Sequence, residues 1–473
     1  MSTQGPHDRG ADRRATAEEP AAHPTGEGRL SRSITGRLLF FYVLGDVLGS
    51  GVYVLIGTVA GEVGGAFWAA FALGVAVAVV TGFAYAELAT KYPQAAGAAL
   101  YVHRAFSSRF FSFVMMFCML SASFAAAGAL ALSFGGDYFK EFLDLPTVLV
   151  ALVFIVALAL LNFRGISESV KANLVMTVVE VSGLVIILAI GAAVLFTGEA
   201  DLGRPFELAG DGSPALVVLG GAALAFFAMT GFENAANVAE ETQEPTRTFP
   251  RALIGGMVTA GVLYILVAFT ASMVVPTSRI AGSESALLDV VAAGPIPVPT
   301  QLFAAIALVA VTNTALVALV TQSRIMYGMA NEGVVPGAFS RVHRSRRTPW
   351  VGIVFTTIVV LALLLTADVE RLATVTVVFL IFIYALVCVA ALRLRREKVD
   401  HEHFTAPTAL LVVGIVANAT LLGYTVYTDP GALTYCGGLL LVGVVLYLVN
   451  SRVRSRSANP AGVDTEERQP SRG

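Results

Sequence analysis

Charge is scarce in this sequence: only 14% of its 473 residues are Asp, Glu, Lys or Arg, against about 25% in a typical soluble chain. That shortage excludes an ordinary water-soluble enzyme and a disordered scaffold. Cysteine is nearly missing. Cys118, Cys388 and Cys436 lie far apart in apolar runs, so they make neither a disulfide framework nor a metal-ligand spacing. The six histidines fall outside the apolar runs and form no H-E-x-x-H pair, which argues against an intramembrane metallohydrolase. No G-x-S-x-G or P-loop pattern occurs, so no cofactor, metal or ATP-driven step is expected. The net charge of −2 offers nucleic acid no general attraction.

Apolar length is abundant instead. Hydrophobic residues make up 56% of the chain and the mean hydropathy is +0.75. The 45 glycines lie mostly inside apolar runs, as in transmembrane helices. Runs of about 18 residues or more cross about 30 Å of hydrocarbon. About twelve occur, at 36–60, 65–89, 109–134, 146–163, 170–197, 214–240, 250–275, 300–328, 350–367, 370–394, 406–427 and 431–450. They are too long for barrel strands, which need only about ten alternating residues. The expectation is an all-α membrane protein with about twelve transmembrane helices. Residues 1–33 and 451–473 are polar tails unable to fold alone. The long polar start argues against a signal peptide.

The 31 Lys and Arg residues orient the chain. With a cytoplasmic N-terminus, 27 fall in inside segments and 4, Lys140, Arg204, Arg279 and Arg371, in outside loops. That split follows the positive-inside rule and places both termini in the cytoplasm.

Two spans carry flaws that a plain anchor does not need. The first contains Gly45-Asp46-Val47-Leu48-Gly49-Ser50-Gly51, and the sixth contains Phe226 through Asn234 with Gly231 at its centre. Each glycine weakens a helix by about 1 kcal/mol relative to alanine. Unwound backbone at membrane depth is tolerated only inside protein or along a cavity. Its free N–H groups suit an anion and its free C=O groups a cation. Interruptions at matching places in two halves point to a transporter site. The competing reading is close helix packing through small residues.

Four motifs then carry a specific resemblance: Gly49-Ser50-Gly51-Val52-Tyr53; Tyr85-Ala86-Glu87-Leu88 with Tyr92-Pro93 and Ala96-Gly97; Phe226 to Glu241 with Glu244-Pro245 and Thr248-Phe249-Pro250-Arg251; and Arg324-Ile325-Met326-Tyr327-Gly328-Met329-Ala330 with Gly333 and Pro336. In this order they resemble the amino acid–polyamine–organocation transporter superfamily. The resemblance implies a five-plus-five inverted-repeat, LeuT-like core, with halves at about 36–197 and 214–394, discontinuous helices one and six, and two extra C-terminal helices at 406–450. It implies alternating access around a substrate near mid-membrane. Amides of Gly49, Ser50 and Gly51 would meet a substrate carboxylate. Carbonyls near Val47, Phe226 and Ala228 would meet its amino group, with Gly231 at the second break. Phe227 holds the place of an occluding aromatic or is a packing residue.

Three acids, Asp46, Glu180 and Glu233, lie inside spans with no Lys, Arg or His near mid-span. Intramembrane ionisable groups are functional by default. Asn173, Thr177 and Glu180 share one helical face. Relatives resembling cationic amino acid transporters carry lysine at the Glu180 place, where it is regarded as standing in for sodium. Glutamate inverts that charge logic. It can take a proton, hold Na⁺, meet a cationic substrate, or simply bond backbone. Asp46 either favours a positive charge or caps the rewound half-helix. Glu233 suits the N-terminus of the inner half of span six, and Thr230, Glu233, Asn237 and Glu240 form a stripe below it. Span eight contains Thr312, Asn313 and Thr314; sodium-coupled relatives of this fold place hydroxyls on that helix beside the first break, so the resemblance makes Thr314 a sodium candidate, or else a group bonding its own helix. The basic run Arg341 to Arg347 and the cluster Arg393 to Lys398 are topology determinants or contacts for anionic lipid.

The leading expectation is a secondary amino acid transporter of a bacterial-type plasma membrane, with import driven by protons and Na⁺ as the alternative coupling ion. A polyamine or cationic amino acid carrier is the alternative within that class. A non-transporting amino acid sensor and a channel are alternatives outside it.

Overall fold

The structure is a computed structural model describing residues 34–457 apart from 94–96, 165–169, 211, 332, 334 and 347. The tail 1–33 and positions 458–473 lie outside the described residues. Among those described, the chain is helical, without a strand beyond one isolated bridge between Ile34 and Thr242.

Helices α1 (Gly36–Leu48) and α2 (Gly51–Val63) together make the first span. They are followed by α3 (Phe67–Lys91), the short α4 (Gly97–Phe106), α5 (Arg109–Phe134), α6 (Asp137–Lys140), α7 (Thr147–Phe163) and α8 (Val170–Thr197). The sixth span is α9 (Pro214–Phe227) and a 3₁₀ segment, Phe232–Glu241. Beyond it run α10 (Pro245–Val274), α11 (Thr277–Ile280), α12 (Ala286–Ala293), α13 (Thr300–Asn331), α14 (Trp350–Leu364), α15 (Val369–Leu394), α16 (Thr408–Thr428) and α17 (Pro430–Ser457).

Local chemistry explains the starts. Thr35 Oγ1, Ser108 Oγ and Asp368 Oδ1 each accept the N–H three residues on, capping α1, α5 and α15. Pro214, Pro245 and Pro430 open α9, α10 and α17, where a missing N–H costs nothing.

Nine of the described helical segments are long and apolar enough to cross a membrane, and α1 with α2 makes a tenth, bent by 41°. α7 and α14 are shorter apolar helices. Each of the twelve apolar runs therefore has a helix, with edges moved by a few residues. The largest shift is at the end: α17 continues to Ser457, into a stretch expected to be tail. Exposed apolar side chains such as Val153, Leu160, Val178, Val416 and Leu441 cover the outer faces of these helices, as a lipid-facing surface requires. The chain is a multi-pass membrane protein.

A polar clamp holds the C-terminal end of α3 to the α15–α16 connection. Glu87 is 1% exposed and accepts from Arg395 Nε and Nη2 at 2.8 and 2.7 Å and from the Ala406 N–H at 2.9 Å. One turn later, Lys91 Nζ donates to the Leu394 and Glu397 carbonyls, both at 2.6 Å, closing the C-terminal end of α15. Removing one partner from a buried pair of this kind costs about 3–5 kcal/mol. The motif Tyr85-Ala86-Glu87-Leu88 thus has a structural job, holding the C-terminal end of α3.

Candidate functional site

The first span unwinds at Gly49 and Ser50, between α1 and α2. The sixth unwinds at residues 228–231 and resumes as a 3₁₀ segment. A 3₁₀ run this long is uncommon and marks a hinge or strain.

The two breaks touch. A Cβ on Gly51 would stand 2.4 Å from Ala228 Cα, so only glycine lets these backbones meet. Gly231 has φ +112°, and a Cβ there would stand 2.6 Å from the Asp46 carbonyl oxygen. Before α1 and after the 3₁₀ segment the same spans are tied again, because the Ile34 N–H donates to the Glu241 carbonyl and the Gln243 N–H to the Ile34 carbonyl.

Beside the breaks lies a cavity of about 100 Å³. Its walls include Asp46 of α1, Thr230, Gly231 and Glu233 of the second break, and Asn313 and Thr314 of α13. It is completed by α5 and α15, and it follows α13 as far as Thr321, a reach of about 12 Å from Asn313.

The acids are held differently. Glu180 on α8 is buried, and Asn313 Nδ2 donates to its Oε1 at 3.1 Å. Its Oε2 is buried without a hydrogen-bond partner among the described residues. Glu180 is not itself on the cavity wall; Asn313 stands between the two. Tyr53 Oη donates to the Glu180 backbone carbonyl at 2.6 Å, joining α2 to α8. Thr177 packs over Gly45 of α1, so two members of the stripe on α8 face the bundle. The Asn173 side chain lies outside the described residues.

Glu233 Oε2 accepts the Gly231 N–H at 2.9 Å and the Tyr384 hydroxyl at 2.7 Å. It therefore caps the 3₁₀ segment and ties it to α15, while also reaching the cavity. Asp46 sits in the last turn of α1. The N-cap position of α2 is held by Ser50, not by Asp46.

The stripe Thr230, Glu233, Asn237, Glu240 also separates. Only Thr230 and Glu233 line the cavity, because a 3₁₀ helix repeats every three residues and the stripe assumed 3.6. On α13, Thr312 bonds the Leu308 carbonyl of its own helix at 2.7 Å. Thr314 Oγ1 donates to the Ala310 carbonyl at 3.1 Å and accepts the Ser50 N–H at 3.2 Å.

Other expected contact groups are engaged with protein. The Val47 carbonyl accepts the Tyr264 hydroxyl at 2.6 Å. Phe226 is fully buried, with its ring centroid 5.7 Å from that of Tyr384, and Phe227 is 5% exposed. Val47, Gly49, Ser50, Gly51, Phe226, Phe227 and Ala228 stand behind the lining rather than in it, whereas Gly231 is part of it. No group of three or more His, Cys, Asp or Glu suited to a metal occurs among the described residues.

Tyr53, Tyr264 and Tyr384 each bond across helices at the breaks. Tyr53 closes the first motif without its partner being readable there. Tyr264 and Tyr384 carried no sequence signal of their own beyond a hydroxyl-bearing aromatic within an otherwise apolar span, which alone does not reveal its partner.

Comparison with known proteins decides the family. The family model described as "Amino acid permease" matches residues 36–445. The chain belongs to the amino acid permease family. The branched-chain amino acid permease BcaP of Bacillus subtilis (strain 168) is 26% identical, over 94% of this chain and 98% of its own length. The cationic amino acid transporter 9, chloroplastic, of Arabidopsis thaliana is 30% identical, over 69% of this chain and 60% of its own length. The methylthioribose transporter of Bacillus subtilis (strain 168) is 23% identical, over 90% of this chain and 95% of its own length. Family and relatives are permeases and transporters, so this permease is a transporter and not an enzyme.

Proposed function

We propose that this permease imports amino acids across the plasma membrane by alternating access, coupled to protons, with both termini cytoplasmic. The observation that carries the reading is the meeting of two unwound helices beside one cavity. Helix ends at a break offer N–H groups to a carboxylate and C=O groups to an ammonium, which is what a zwitterion needs. The proposed contact set is Gly231, which lines the cavity, with Val47, Gly49, Ser50, Gly51, Phe226, Phe227 and Ala228, which stand behind the lining and would have to open toward the substrate. Because the Val47 carbonyl and the Ser50 amide are now bonded to Tyr264 and Thr314, substrate binding exchanges protein bonds for ligand bonds.

The breaks fall in the first helix of each proposed set of five, in keeping with two inverted halves at 36–197 and 214–394 and extra helices at 406–450. The outer side of α2 is packed shut: the Gly282 N–H donates to the Gly57 carbonyl and the Tyr138 hydroxyl to the Tyr53 carbonyl, both at 3.0 Å. The cavity extends the other way, toward Thr321. This supports an arrangement closed outside and reached from inside.

For coupling we assign Glu180. Its Oε2 has no hydrogen-bond partner among the described residues, and Asn313 links its other oxygen to the cavity wall. A proton fits this single acid with one neutral donor. Thr314, whose hydroxyl already donates and accepts, is the weaker candidate for a Na⁺ ligand.

A second reading, a cationic amino acid or polyamine carrier, is favoured by one observation. Asp46 and Glu233 line the cavity, and no Lys, Arg or His does among the described residues. The names of the relatives support both readings.

Reconstituted protein, offered each protein amino acid and common polyamines with a radiolabel, should accumulate at least one amino acid against its gradient. Uptake of none would remove the proposal. Lysine or putrescine competing better than leucine or alanine would select the second reading.

A further inference from the structure

Away from the cavity, the inner ends of α4 and α15 border a depression of about 820 Å³. Arg104 comes from α4, and Val389, Leu392, Arg393, Arg396 and Glu397 from α15 and the residues after it. Val389, Leu392 and Arg393 share one helix face at i, i+3 and i+4, and Arg396 follows less than a turn beyond. The apolar part of the wall thus runs into a cationic end, just where the membrane-crossing segment stops at Leu394.

The cations are held and only partly matched. The Arg104 guanidinium lies over the Tyr92 ring at 4.4 Å and the Arg393 guanidinium over the Phe106 ring at 5.3 Å. Glu397 is the acid in the wall; its Oε1 is 4.0 Å from Arg104, and its Oε2 accepts the Tyr92 hydroxyl at 2.8 Å. Burial, then the Glu397 contact, push the Tyr92 phenol up to about 12, so it stays a donor. Arg393 and Arg396 are exposed and have no acidic partner among the described residues.

We propose that this depression binds the phosphodiester headgroup of an anionic phospholipid, with Arg393 and Arg396 on the phosphate and an acyl chain along Leu392 and Val389. Arginine forks match phosphate oxygens. An apolar wall directly above the guanidiniums suits a lipid and offers nothing to a soluble phosphate. Headgroups of the inner leaflet supply the negative charge.

The test is native mass spectrometry of the full-length protein in detergent, with phosphatidylglycerol and phosphatidylcholine added in equal amount. The protein should retain phosphatidylglycerol preferentially. Each arginine near such a surface is worth about fivefold, so Arg393→Gln with Arg396→Gln should weaken retention about twenty-fivefold. Arg393→Lys with Arg396→Lys should keep most of it, and Arg341→Gln with Arg344→Gln, on the other basic run, should keep all of it. Equal retention of the two lipids would overturn the proposal. So would full retention by the glutamine double variant, equal loss in the Arg341 and Arg344 control, or displacement by glycerol phosphate, which would make this a soluble-phosphate site.

Discussion

Gly51→Val should cut uptake by about tenfold or more. The added Cβ would lie 2.4 Å from Ala228 Cα and 2.8 Å from its Cβ, and the Ala228 nitrogen is only 3.2 Å away. Backbone is in the way, not the far end of a flexible side chain, so relief requires that the two breaks separate. Overpacking of this kind costs about 1–3 kcal/mol in a well-packed interior. Here the cost falls on the geometry that the substrate is proposed to use, so uptake should drop by about tenfold or more. Size-exclusion chromatography separates this from misfolding: the variant should remain monodisperse. Gly423→Ala, where an added Cβ meets nothing within 4 Å, should transport as the unaltered protein does. Full activity of Gly51→Val would show that the contact between the breaks is dispensable.

Glu180→Gln separates coupling from binding. Glutamine keeps the shape and can still meet Asn313, but it neither takes up nor releases a proton. A gradient of one pH unit is worth about 1.4 kcal/mol, or about tenfold accumulation for one proton per substrate. With an acidic exterior, the unaltered protein should gain that factor as external pH falls by one unit. The variant should gain none, while exchanging labelled for unlabelled substrate at a reduced rate. Asn313→Ala should reduce the pH response with Glu180 present, because it removes the one donor between that acid and the cavity. An unchanged pH profile in Glu180→Gln would refute the coupling assignment.

How much of this was legible in advance depends on distance along the chain. The twelve helical segments follow from runs of apolar residues, a local property, and the helix starts follow from Ser, Thr, Asp and Pro beside those runs. The breaks were legible for the same reason: Gly49, Gly51 and Gly231 act on their own backbone. The partners were not. Glu180 and Asn313 are 133 residues apart, and Glu233 and Tyr384 are 151 apart; an acid in an apolar run announces that it needs a partner without naming it. The cavity walls from α5 and α15, such as Ala126 and Thr376, carried no signal because small and hydroxyl-bearing residues recur throughout the spans. Of the two readings of Asp46, the N-cap position goes to Ser50 by register. Helix α2 starts five residues after Asp46, and a side chain caps only the helix that begins beside it.

The claim at the centre is that the transported amino acid occupies the cavity beside the two breaks. Ala126 lines that cavity, and the native thiols Cys118, Cys388 and Cys436 are all buried, so Ala126→Cys places a reporter there. In proteoliposomes, a small methanethiosulfonate reagent should modify this cysteine, and saturating transported amino acid should protect it while a non-substrate amino acid does not. Modification at the same rate with and without the transported amino acid would contradict the account.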